Sequence, residues 1–208
     1  IGVVHGIRSE VLRYPIPQDT PLSYDGTRLL PVTESLRQNG VPYGFLPDAR
    51  LKDVDALRQY QMIICPEIAC MNGDERDGLE SYIRAGGNAL IFGELGAADE
   101  TGMDNDRSLL DEIFGFDAPR YDESQKATQR FALTEEHPAA SKIQYPDEEA
   151  AKGYFDGTCV PFMELSYCRD VEAPSDAQVL AEFCDESGTS MGRPAIMFFD
   201  RFGGRVVY

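Results

Sequence analysis

The sequence predicts an α/β fold: an open, doubly wound, mainly parallel sheet with helices on both faces over residues 1–118, then a β-rich C-terminal portion over residues 119–208 packed on the same domain. Three observations predict it. Short apolar runs alternate four times with amphipathic helical segments through short connectors, the pattern of parallel strands joined by right-handed crossovers. Asn-Gly or glycine falls where each helix must stop. After Pro119 the helical period gives way to short β-like runs separated by polar or Gly/Pro stretches.

The elements follow in order. Gly2-Val3-Val4 is a short apolar run that turns polar at His5-Gly6, as a first buried strand does at its end. Residues 8–24 form a long polar entry loop, and 14–26 are rich in proline and polar side chains. From 27 to 39, Leu29, Leu30, Val32 and Leu36 mark a helix, with Pro31 tolerated in the first turn and Asn39-Gly40 as the stop. Residues 43–46 give a second strand, 52–60 a brief helical connector, and 62–65 a third strand ended by Pro66. Asn72 caps the next helix and Glu75, three residues on, completes a capping box. Leu79, Tyr82 and Ile83 give that helix an apolar stripe, and Gly86-Gly87 ends it. Residues 88–92 are the fourth strand, and 108–114 a helix closed by Gly115. Beyond it, 130–133, 142–145, 177–184, 194–200 and 205–208 read as strands, the last two joined as a hairpin across Arg201-Phe202-Gly203-Gly204.

Composition excludes several functions. With 19 basic residues against 36 acidic ones, the net charge of −17 disfavours nucleic acid or an anionic membrane as partner, since both require Lys and Arg to neutralise phosphate. A neutral ligand such as a carbohydrate is compatible. The acids are spread over several loops, as solvated surface is. The five cysteines, Cys65, Cys70, Cys159, Cys168 and Cys184, lack zinc spacing and read as free thiols, which favours a reducing, cytoplasmic setting. The chain opens and closes inside strand-like runs, so it is expected to be part of a longer polypeptide.

In open α/β sheets ligands gather at the carboxyl ends of the strands. The candidates for ligand binding there are His5, Glu67, Glu94, Asp99 and Glu100. Glu67 and Glu94 are the catalytic candidates, as an acid and base acting on a glycosidic bond. Gly93-Glu94-Leu95-Gly96 lacks the Gly-Lys-Ser/Thr ending of a phosphate loop. Asp99, Asp104 and Asp106 lack the glycine and closing glutamate of a calcium loop. Cys65 and Cys70 do not sit on a glycine-flanked elbow. No cofactor or metal site is read.

Residues 62–96 with the following Ala97-Ala98-Asp99-Glu100-Thr101-Gly102 carry a family resemblance. A strand ends in Ile64-Cys65-Pro66, a helix closes with Ile83-Arg84-Ala85-Gly86-Gly87, and a strand leads into a Gly…Asp-Glu turn. Ile113-Phe114-Gly115, Glu136-His137-Pro138 and the closing segment from Pro194 to Tyr208 extend it. In this the chain resembles the class I glutamine amidotransferase-like domains, and among them the β-galactosidase trimerisation domain of glycoside hydrolases. The resemblance implies a flavodoxin-like sheet. It also places Glu94 where amidotransferases carry the nucleophilic cysteine of a Gly-x-Cys-x-Gly elbow. A carboxylate there cannot form the glutamyl thioester. The resemblance therefore implies an accessory domain without that activity, one that contacts other domains of its parent chain, helps build a homo-oligomer and walls a neighbouring carbohydrate site. The alternatives are a free-standing carboxylate-based hydrolase and a sugar-binding sensor module.

Overall fold

The computed structural model of the chain describes residues 1–13, 29–117, 129–134, 160–162, 171–185 and 189–208. The sequence expectations at 14–26, at 142–145 and at His137-Pro138, and the cysteines Cys159 and Cys168, lie outside them. The described elements are β1 (Gly2–His5), α1 (Ile7–Leu12), α2 (Leu29–Gln38), β2 (Gly44–Pro47), a 3₁₀ turn (Asp48–Arg50), α3 (Val54–Leu57), β3 (Ile63–Cys70), α4 (Gly73–Arg84), β4 (Ala89–Ala98), α5 (Leu109–Phe114), β5 (Gln129–Leu133), β6 (Val160–Phe162), β7 (Gln178–Cys184), β8 (Ser190–Arg201) and β9 (Gly204–Val207). They fall into two compact units, Ile1–Ala118 with Asp200–Tyr208, and Pro119–Phe199.

The fold class is α/β. In the first unit the strands lie in the order β2-β1-β3-β4-β9, and each neighbouring pair is parallel. In the second, β6, β5, β7 and β8 are antiparallel neighbours in that order. The sequence division at 118/119 grouped residues 205–208 with the β-rich portion. In the structure β9 instead pairs with β4, Val206 opposite Ala89, and so completes the first unit.

Every residue of β3 is buried, which is why its sequence is apolar but for Glu67 rather than alternating. Val3 and Ile64 pack with Leu29 in one buried cluster flanked by Val32, Leu36 and Leu90, while Val4, Ile63, Ile91, Leu57, Leu79, Ile83 and Phe114 are buried as well. Each such side chain contributes about 1.5–3 kcal/mol by leaving water. The capping box of α4 is formed: Asn72 Oδ1 accepts from Glu75 N at 2.9 Å, and Glu75 Oε2 accepts from Asn72 N at 2.9 Å. Gly78 lets α4 close onto the preceding turn, because a Cβ there would lie 2.3 Å from the Leu51 carbonyl oxygen.

Three expectations are corrected. Residues 7–12, all but Ile7 within the polar entry loop expected over 8–24, form α1. The helix expected over 52–60 is shorter, the four-residue α3, and a 3₁₀ turn precedes it at Asp48–Arg50. The third and fourth strands do not end at Pro66 and Phe92 but run on together to Cys70 and Ala98. Pro66, which has no N–H to give the ladder, is tolerated because the pairing shifts register just after it. Between the pairs Pro66–Phe92, Ile68–Leu95 and Cys70–Ala98, β4 carries one extra residue in each interval. These two bulges contain Gly93 (φ 61°) and Gly96 (φ 58°), left-handed conformations that glycine enters without a Cβ clash.

Candidate functional site

The carboxyl ends of β1, β3 and β4 and the helix α1 between them build one polar cluster. Chain reversal after His5 sends α1 back across the end of β3, and the side chains that tie it there are all polar. Ser9 is buried, and its hydroxyl accepts a hydrogen bond from Cys70 N at 2.9 Å. Arg8 donates to Glu75 Oε2 at 2.7 Å and to its other oxygen, and lies 3.7 Å from Asp48. Glu75 thus serves both the cap of α4 and the anchoring of α1. At the end of β1, His5 Nε2 lies 3.6 Å from Glu10 Oε2.

A second buried ion pair lies at Glu94. This carboxylate is 1% exposed, and Arg13 grips both of its oxygens, Nε to Oε2 at 3.2 Å and Nη2 to Oε1 at 3.0 Å. The remaining Arg13 nitrogen, Nη1, donates to Asp104 Oδ1 at 2.8 Å. A two-pronged guanidinium–carboxylate pair fixes orientation as well as charge. The hydrogen bond from Arg13 to Glu94 raises the arginine's already high pKa further, so the cation is permanent. The phenol of Tyr208 is pushed up, first by burial and then by the negative charge of Glu94. Its ring packs edge-on against Phe116 at 4.9 Å.

Of the residues the sequence singled out, the structure brings Glu67 and Glu94 onto adjacent strands at the first bulge. Glu67 is buried and has φ 51°, a left-handed backbone rare for a residue with a side chain. It fills the space that Gly93 leaves, for a Cβ on Gly93 would lie 2.7 Å from Glu67 Cγ. His5 ends β1 and faces Glu10. Asp99 is occupied by its own loop: Oδ1 accepts from Thr101 N at 2.8 Å, Thr101 Oγ1 at 2.7 Å and Met103 N at 3.0 Å. The Thr101 hydroxyl, with those amides, holds this carboxyl below the usual range. Glu100 is exposed.

Neither Cys65 nor Cys70 is primed as a nucleophile. Burial pushes the Cys65 thiol up to about 12 and raises Cys70 as well, whereas thiolate chemistry needs a lowered pKa. Glu94 has both oxygens committed to Arg13. No three His, Cys, Asp or Glu side chains gather to hold a metal among the described residues, and no described helix is long and apolar enough to cross a membrane. The residue sequence reasoning missed is Arg13. Its signal was indirect: a buried glutamate after a parallel strand demands a cation, and Arg8 and Arg13 are the first two in the chain.

No family model and no curated protein sequence matches this chain. Solved structures do. The β-galactosidase of Bacillus circulans sp. alkalophilus is similar with a TM-score of 0.71 at 15% identity, over 100% of this chain and 27% of its own. The β-galactosidase of Rahnella sp. R3 gives 0.67 at 17% identity, over 100% of this chain and 28% of its own. A cytoplasmic protein of Salmonella typhimurium LT2 gives 0.54 at 16% identity, over 85% of this chain and 72% of its own. At these identities the likeness establishes the shared fold. The chain spans little more than a quarter of the β-galactosidase chains it matches.

Proposed function

We propose that this chain is an amidotransferase-like accessory domain of a larger, β-galactosidase-like glycoside hydrolase, contributing subunit contacts and part of the wall of a carbohydrate site rather than catalysis of its own. The observation that carries the reading is the state of Glu94. It stands where the resemblance implies a nucleophilic cysteine, and it is buried and held at both oxygens by Arg13. A residue so fixed serves as a structural anion. The strand order β2-β1-β3-β4-β9, parallel throughout, supports the doubly wound, flavodoxin-like reading, whose order is of this kind. The match of the whole chain to about a quarter of β-galactosidase chains supports the accessory role.

The test is to express the full open reading frame, with residues 1–208 present or deleted, and to measure light scattering and hydrolysis of a chromogenic β-galactoside. The full product is expected to associate and to turn over, and residues 1–208 alone to show no turnover. Glycosidase activity in residues 1–208 alone, lost in Glu94→Gln, would overturn the reading. A second reading, a free-standing module, is favoured by the Salmonella protein, of whose own length the match covers 72%. The same experiment decides it, since an open reading frame without further domains supports the module.

A further inference from the structure

The helix α1 is inverted. Ser9 is bonded to the end of β3, Arg13 to Glu94 on β4 and Arg8 to Glu75 in the first turn of α4. The large apolar side chains of α1 point away: Ile7 is 43% exposed, Val11 53% and Leu12 45%. Ile7 and Val11 stand one helical turn apart, on the side opposite Ser9 and Arg13. The patch extends past the helix. A Cβ on Gly102 would lie 3.2 Å from Leu12 Cβ, so the neighbouring loop abuts the helix, and that loop presents Met103 at 69% exposure.

We propose that Ile7, Val11, Leu12 and Met103 form the surface by which this domain docks onto the remainder of its parent polypeptide, against an apolar patch with a basic rim. The inference rests on the accessory-domain reading. Large apolar side chains gathered on one face mark an interaction site where singly scattered ones do not. Charge selects the occupant. The loop that carries Met103 also carries Asp99, Glu100 and Asp106, in a chain with 36 acidic residues against 19 basic. A two-fold pairing of copies through this face would set that loop against itself, and like charges facing across an interface oppose association. A surface with Lys or Arg around an apolar centre matches it. The matched β-galactosidases leave about three quarters of their chains beyond the matched segment, enough to supply such a surface.

The experiment is peroxide oxidation of the full-length polypeptide, native and in urea, with Met103 sulfoxide read by peptide mass. Methionine oxidation follows solvent access, so a docked Met103 is expected to react roughly tenfold slower in the native protein than in urea. In the full-length Val11→Lys variant that protection should vanish while the thermal transition of the domain persists. A native rate within about twofold of the urea rate overturns the proposal, because that is what 69% exposure alone allows. Protection that disappears on dilution assigns the face to a second copy, and protection retained by residues 1–208 alone assigns it to this chain's own residues; either outcome overturns the partner named here. A glycosidase with a fully reactive Met103 defeats the docking inference alone. A protected Met103 in a protein without glycosidase activity defeats the function reading alone.

Discussion

Helices α1 and α4 both anchor at the end of β3, and they are held there by opposite chemistry. The α4 helix buries Leu79, Tyr82 and Ile83 and shows solvent its charged side, with a complete capping box at its start. The α1 helix has no side-chain cap, turns arginines and a serine inward, and leaves its aliphatic residues outside. The difference teaches that one set of strand ends can be closed by burial on one side and by ion pairs on the other. The two closures should respond differently to substitution.

The largest effect is expected on the apolar side. Leu79→Ala removes a fully buried side chain and should lower unfolding free energy by about 4 kcal/mol, read from the urea midpoint of the 208-residue chain. A loss under about 1 kcal/mol would mean that α4 is not held by burial. Arg13→Ala comes next, at about 3 kcal/mol, because it strands the buried Glu94 carboxylate without its cation. The paired replacement Arg13→Met with Glu94→Leu should recover most of that loss, since an apolar pair of similar volume need not be desolvated as ions. If the pair costs as much as the single change, the ion pair is not what fixes α1. Asn72→Ala, which removes one half of the capping box, should cost about 1 kcal/mol in the same assay. Val11→Gln is the smallest, within about 0.5 kcal/mol of zero for residues 1–208 on their own, because that side chain lies outside the core. A substantial destabilisation there would contradict the inverted orientation of α1.

The same contrast explains what was legible in the sequence. Burial leaves a period: Leu79, Tyr82 and Ile83 between Asn72 and Gly86-Gly87 specified α4 at both ends, and the structure has it from Gly73 to Arg84. A helix held by ion pairs leaves none, because its partners, Glu75 and Glu94, are distant in sequence and neither charge pattern nor hydropathy connects them. The stretch that forms α1 therefore carries no helical signal in the sequence, and nothing there marks Arg13. The strand ends were misjudged for a related reason. Proline and glycine usually punctuate a strand, but here Pro66 pairs with Phe92 just before the first bulge, and Gly93 and Gly96 sit in the bulges that keep β3 and β4 paired. Glu67 and Glu94, expected just after their strands, stand inside β3 and β4 at the first bulge. What each one touches was written only in the pairing of the two strands.

The place of β9 has a consequence for how the chain comes together. This strand lies beside β4, and the Arg205 amide donates to the Asn88 side chain across 117 residues of sequence. During synthesis, at about 5–20 residues per second, β4 leaves the ribosome well before its neighbour exists. Through that interval the edge of β4 stands open to any other strand that can reach it. The nascent domain is then exposed to mispairing, and contacts this remote are the ones that slow folding. A chaperone, or early folding of the intervening segment, would have its greatest benefit in this window.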